Sequence, residues 1–202
     1  LSTEGTEFYV TFMKNIGKEI KDDDFFTSIY ATAHENAIVT LKGVFTPLDG
    51  STPREWIETF VVTADGVNNL IIPHEVAYME VGGKTSDDVQ VKGVMVTSDK
   101  PISVYISNSN IDSYDAAVIY PIKALYKEYV IQTYSTDQQA NEFALVSAKN
   151  DNNISINIQE TFYKLSGEVD KITHDTINVV LDQGESYLYR TDKGRVSLTG
   201  TT

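Results

Sequence analysis

The sequence predicts an all-β protein: two tandem β-sandwich-like repeats of antiparallel strands, the second incomplete. Three observations carry that expectation. Apolar residues recur at every second position in short runs, which gives a pleated strand one face to bury. Turn-forming clusters separate the runs at the spacing of a sandwich or barrel. Twelve Tyr and eight Phe, with many Val, Ile and Thr, suit pleated surfaces better than helices.

Taken in order, the alternation opens at Phe8, Val10 and Phe12. A helix competes there, because Phe8, Phe12, Ile16 and Ile20 recur every four residues, with Lys14, Lys18 and Lys21 able to face solvent. Later runs are Val91-Gly93-Met95, Ile102-Val104-Ile106, Ile154-Ile156-Ile158 and Ile177-Val179-Leu181. The segment 117–127 fits strand or helix. Turns are expected at Leu48-Asp49-Gly50, Ala64-Asp65-Gly66, Val81-Gly82-Gly83, Asn150 to Asn153, Asp182-Gln183-Gly184 and Asp192-Lys193-Gly194.

An internal repeat decides the first ambiguity. Glu7 to Phe12 resembles Lys127 to Gln132, Phe26 to Asn36 resembles Phe143 to Asp151, and Phe60 to Gly66 resembles Val179 to Gly184. The parts keep their order, so 8–13 is expected to be a strand like 128–133, with Ile16 and Ile20 beyond its end. The repeats are placed at 1–120 and 121–202, the second packed on the first. The first continues through Lys92 to Tyr105, whereas the second stops at Thr202 without an equivalent strand pair. The native chain is therefore expected to continue, with strand addition from a partner as the alternative.

Composition narrows the function. Sixteen Lys and Arg against 29 Asp and Glu leave a formal charge of −13, which disfavours nucleic acid and anionic membranes as partners. At 41% hydrophobic residues, a chain this long buries roughly 70% of its unfolded surface. No Cys is present, so disulfides, thiolate metal sites and cysteine nucleophiles are excluded. The longest apolar run, Ala116 to Ile122, falls short of the ~20 residues of a membrane helix. The chain opens on Leu1 rather than Met, which reads as removal of something upstream, and no signal-peptide pattern remains.

No catalytic apparatus is legible, and the protein is expected not to be an enzyme. His34-Glu35 and His74-Glu75 lack the second His of a zincin, since Ile38 and Tyr78 stand four residues on. Gly82-Gly83-Lys84-Thr85 ends like a phosphate loop, but Tyr78 replaces the glycine that the loop needs. No Gly-x-Ser-x-Gly elbow occurs. Acidic clusters at Asp22-Asp23-Asp24, Asp87-Asp88, Asp112 with Asp115, and Asp151 complete no EF-hand. Trp56, the single tryptophan, is expected in the core rather than at a partner.

One segment has the composition of an adaptable recognition loop: Tyr105-Ile106-Ser107-Asn108-Ser109-Asn110-Ile111-Asp112-Ser113-Tyr114. From it and its neighbour, Asn108, Asn110, Asp112, Tyr114 and Asp115 are the candidate ligand-binding residues. Asp112 and Asp115, with Asn108 or Asn110, would also be the best calcium set; no other cofactor is expected.

Several phrases resemble a known family. Val96-Thr97-Ser98-Asp99-Lys100-Pro101-Ile102-Ser103-Val104-Tyr105 is similar to the S-D-x-P-I-x-V-Y strand of the IgGFc-binding protein N-terminal domain family. Asp115 to Leu125 resembles its D-A-Y-x-x-L-P-x-x-A-L-G segment, and Leu181 to Tyr187 its L-x-x-G-E-T-Y. Glu128-Tyr129-Val130, Phe143 to Ala148 and Leu198 to Thr201 follow the family order, so the resemblance spans nearly the whole chain. It implies a secreted or cell-surface adhesion or interaction module, bacterial in character, binding an extracellular protein or glycan, with immunoglobulin Fc or mucus as the named associations. It transfers no contact residue; the matched positions look structural. The alternative reading is a calcium-dependent carbohydrate-binding accessory domain.

Overall fold

The computed structural model describes residues 2–13, 26–47, 50–79, 89–109, 114–134, 140–191 and 194–202. Over these residues the chain is almost wholly β, and its strands pair antiparallel. The first part contains β1 (Glu4–Val10), β2 (Phe26–Ala33), β3 (Ala37–Phe45), β4 (Arg54–Val62), β5 (Gly66–Ile72), a helical turn α1 (His74–Ala77), β6 (Val89–Gln90), β7 (Val94–Ser109) and β8 (Tyr114–Ile119). Strand β7 organises it. The first half of β7 lies between β1 and β3, with Met95 opposite both Tyr9 and Lys42. Its second half lies between β2 and β8, with Tyr105 opposite both Tyr30 and Val118. One strand thus serves two layers, β4-β3-β7-β1 and β5-β2-β7-β8, and the sheet wraps almost closed around its own core.

Period-2 alternation explains that core. Phe8, Ile29, Val39, Leu41, Val94, Val96, Ile102 and Val104 turn inward and are wholly buried; each such aliphatic or aromatic side chain stabilises the fold by about 1.5–3 kcal/mol. Trp56, expected in the core, is half-buried and packs against the edge of this cluster. Phe8 and Val10 lie on strand β1, and Phe12 beyond it exchanges backbone bonds with α1 and its neighbour: its amide donates to the Ala77 carbonyl (3.1 Å), and the Met79 amide donates to the Phe12 carbonyl (2.9 Å). Ile16 and Ile20 lie outside the described residues, as do Asp22-Asp23-Asp24, Asp87-Asp88 and Gly82-Gly83-Lys84-Thr85. The ambiguous 117–127 segment divides: β8 runs to Ile119, and a single 3₁₀ turn at Ile122–Ala124 follows Pro121.

The alternation read at Val91-Gly93-Met95 is out of phase with the structure. Val91 is exposed, and the inward residues are Val94 and Val96. Gly93 causes the slip: its amide donates to the Gly184 carbonyl (2.9 Å), and an added Cβ would lie 2.6 Å from that oxygen. It is a contact point with a distant turn, and the pleat restarts one residue later.

The remainder contains β9 (Glu142–Val146), β10 (Asn152–Tyr163), β11 (Val169–Leu181), β12 (Ser186–Arg190) and β13 (Val196–Ser197). They form the sheets β11-β10-β13 and β6-β12-β9. Phe143, Ile156, Ile158, Leu181, Tyr187 and Leu198 bury a second cluster. Residues 128–133 form no strand element, although Ile131 pairs in extended fashion with the chain end, donating to the Thr201 carbonyl (2.8 Å) and accepting from the Gly200 amide (3.1 Å). Asp65, Asp151 and Gly184 take the left-handed backbone of their expected turns.

Candidate functional site

The outward face of the β5-β2-β7-β8 layer is built from neutral side chains. On β2 and β7 the register sets Tyr30 against Tyr105, Ser28 against Ser107, and Thr32 against Ser103, all turned away from the core. Beyond β2, strand β5 adds Val67, Asn69 and Ile71. On the other side, β8 adds Tyr114, Ala116 and Val118. Among the described residues, the outward positions of β5, β2, β8 and the second half of β7 carry no Asp, Glu, Lys or Arg, in a chain with a formal charge of −13; Glu4 of β1, opposite Ser103, stands at the margin. Tyr114 is 67% exposed, Val67 65%, Ile71 55% and Tyr105 41%. Ser28 and Ser107 lie almost buried between these taller neighbours. The result is a broad surface of aromatic and aliphatic ridges over a floor of hydroxyl groups.

The opposite layer shows the contrast. Its outward positions include Glu7, Lys42 and Glu55, with a Lys42–Glu55 ion pair across β3 and β4. Register therefore keeps charged side chains off the outward positions of these four strands, Glu4 standing only at the margin, and such neutral positions desolvate at low cost. Desolvating neutral aromatic and hydroxyl groups costs far less than desolvating ions, and charge is depleted at the centres of protein interfaces.

The five residues singled out in the sequence divide. Asn110 and Asp112 lie outside the described residues. Asn108 and Asp115 stand opposite one another across β7 and β8. They share the inward phase of Ile106 and Ala117 at the end of the layer, and the Asn108 amide donates to the Met13 carbonyl (2.8 Å). Tyr114 falls in the outward phase and joins Tyr105 and Tyr30 on the uncharged face. Alternation therefore separates Tyr114 from its neighbour Asp115.

Among the described residues no three His, Asp or Glu side chains gather as a metal-holding group. His34 bridges Glu4 (3.1 Å) and Asp65 (3.4 Å) on the open surface, tying β1 to two hairpin turns. His74 lies on α1, and His174 is exposed on β11. Among the described residues the clear titration shift is that of Tyr9, whose phenol is pushed above its ordinary value by burial, an effect partly offset by a hydrogen bond to Gln183. It lies where the 182–185 turn meets β1. A cleft of about 390 Å³ opens among Val44, Thr46, Pro47, Pro53, Gln90, Val91 and Lys92. The Lys92 ammonium donates to the Glu75 carbonyl there (2.8 Å), which ties α1 to the segment between β6 and β7.

The fold is that of an antiparallel all-β module. Residues 115–202 match the family described as IgGFc binding protein, from within β8 through the whole second cluster. The match includes every segment of the sequence resemblance except Val96 to Tyr105, and its family is one of binding domains. No curated protein and no solved structure matches the chain. Among the described residues no helix is long and apolar enough to cross a membrane.

Proposed function

We propose that this chain is a secreted or cell-surface, non-enzymatic interaction module, of two tandem β-sandwich units, that docks an extracellular protein on the uncharged face of β5-β2-β7-β8. The carrying observation is that, among the described residues, the outward positions of these four strands hold neutral side chains, with Glu4 only at the margin, in so acidic a molecule. Tyr, Ser and Asn dominate adaptable protein-binding surfaces, because Tyr offers a large contact at small entropic cost and hydroxyls accommodate many partners. The family match supports a binding role and makes immunoglobulin Fc the first partner to try. A calcium-dependent glycan is the second, with Asp115 opposite Asn108 as its anchor.

The experiment measures binding of immobilised protein to immunoglobulin Fc, mucin and a glycan array, with calcium or with chelator. Tyr105→Ala and Tyr114→Ala are each expected to weaken protein binding by roughly tenfold or more, as central aromatic truncations do. Unchanged affinity in the double variant removes the face from consideration. Glycan binding that chelator abolishes and Asp115→Asn weakens transfers the site to the Asn108–Asp115 end of the layer.

A further inference from the structure

The strand pairings of the two core clusters run in parallel. In the first, β2 pairs β5, β3 pairs β4, and β3 pairs the first half of β7. In the second, β9 pairs β12, β10 pairs β11, and β10 pairs β13. The correspondence breaks at one place. Strand β2 is flanked on both sides, by β5 and by Ile102–Ser109 of β7, whereas β9 pairs only with β12 among the described residues.

The backbone phase of β9 shows which groups that leaves. Ser147 donates to the Glu185 carbonyl and accepts from the Gly184 amide (2.9 Å each), and the Asn141 carbonyl accepts from the Thr191 amide (2.9 Å). Alternate residues of an antiparallel strand bond to the same side, so Phe143 and Leu145 also direct their backbone groups at β12. Ala144 and Val146 direct theirs to the other edge. The strand is Glu-Phe-Ala-Leu-Val, uncharged past its first residue. The other long edge, β11, carries Asp170, Lys171, His174 and Asp175, the charged side chains by which natural sheets discourage pairing.

We propose that the outer edge of β9 accepts an added antiparallel strand donated by a partner polypeptide, extending the sheet β6-β12-β9 through the Ala144 and Val146 backbone. The chemistry of the donor is read from the strand that fills the corresponding place beside β2. Ile102, Val104 and Ile106 turn inward there, with Ser103, Tyr105 and Ser107 outward. A donor with aliphatic residues at alternate positions and hydroxyl residues between them would set its aliphatics beside Phe143 and Leu145, over the second core. Main-chain bonds supply the affinity in such strand addition, and the alternating side chains supply the specificity.

The probe is a synthetic peptide copying residues 101–109, tested on the intact chain by amide hydrogen exchange. Saturating peptide is expected to slow exchange at Ala144 and Val146 by about tenfold or more, since a new ladder bond must open before exchange. Exchange in β2, flanked already, stays unchanged. A peptide of the same composition with its alternation scrambled gives no slowing, and Ala144→Pro abolishes the effect by removing the outward amide, a place where edge strands accept proline. Should that variant misfold, peptides N-methylated on alternate residues, in each of the two phases, replace it on unaltered protein; one phase must lose binding. No slowing, or equal slowing by the scrambled peptide, overturns the proposal. Protection that appears without peptide and grows with protein concentration assigns the edge to a second copy of the chain and overturns the partner strand.

Discussion

At the scale of single residues, Tyr9 joins packing to titration. Its ring lies half-buried where β1 meets the 182–185 turn, and burial raises its phenol above the ordinary tyrosine range. In the unfolded chain the phenol has its ordinary value near 10. Between the two values the folded state holds a proton that the unfolded state has lost, so stability falls as pH rises. The contribution is complete below the unfolded value and lost as pH climbs through the folded one. Denaturation followed from neutral pH to above pH ~10 should therefore show a decline that Tyr9→Phe reduces. An unchanged decline would place its origin elsewhere. The candidate residues also teach a lesson at this scale. Tyr114 and Asp115 are neighbours in sequence and lie in opposite phases of β8, which follows from pleating alone, and only the pairing with β7 shows which phase faces the core.

At the scale of elements, the slip at Val91-Gly93-Met95 marks the limit of periodicity. Runs such as Ile102-Val104-Ile106 were legible because the period of the strand and the burial of one face share one cause. Gly93 follows a different cause, the carbonyl of Gly184 pressed against it, and that neighbour lies outside any local window. Gly93→Ala would force a methyl onto backbone that cannot yield. Overpacking of this kind costs about 1–3 kcal/mol, so the urea midpoint should fall by a corresponding amount with the slope unchanged. A loss below about 0.5 kcal/mol would show that the two segments separate freely. The uncharged face was legible only in part. Ser103, Tyr105, Ser107 and Ser109 show it along β7, but its width comes from β2, β5 and β8, drawn from residues 26 to 118, and register alone assembles them.

At the scale of the whole molecule, net charge is the quantity that acts. The ion pairs among the described residues, such as Lys42–Glu55 and Lys164–Glu168, are mostly exposed, and exposed pairs contribute little. Self-repulsion should therefore oppose the compact state. Raising ionic strength from about 0.01 M to about 0.15 M shortens the screening length from ~30 to ~8 Å, and the thermal midpoint is expected to rise. A flat or falling midpoint would mean that specific pairs outweigh the general repulsion. The all-β class was legible at this scale, because composition and alternation agree over the entire chain.

The double membership of β7 also governs how the molecule can be made. Strands β3 with β4, and β2 with β5, lie close enough in the chain to pair early. Strand β1 waits for a partner some ninety residues later, Val10 meeting Val94 and Glu4 meeting Ser103. Long-range pairing of this kind is slow, since loop closure precedes any reward. During synthesis the first four strands to pair would hold their apolar faces half-covered until Ser109 had left the ribosome, and the arrival of β7 would then close both layers together.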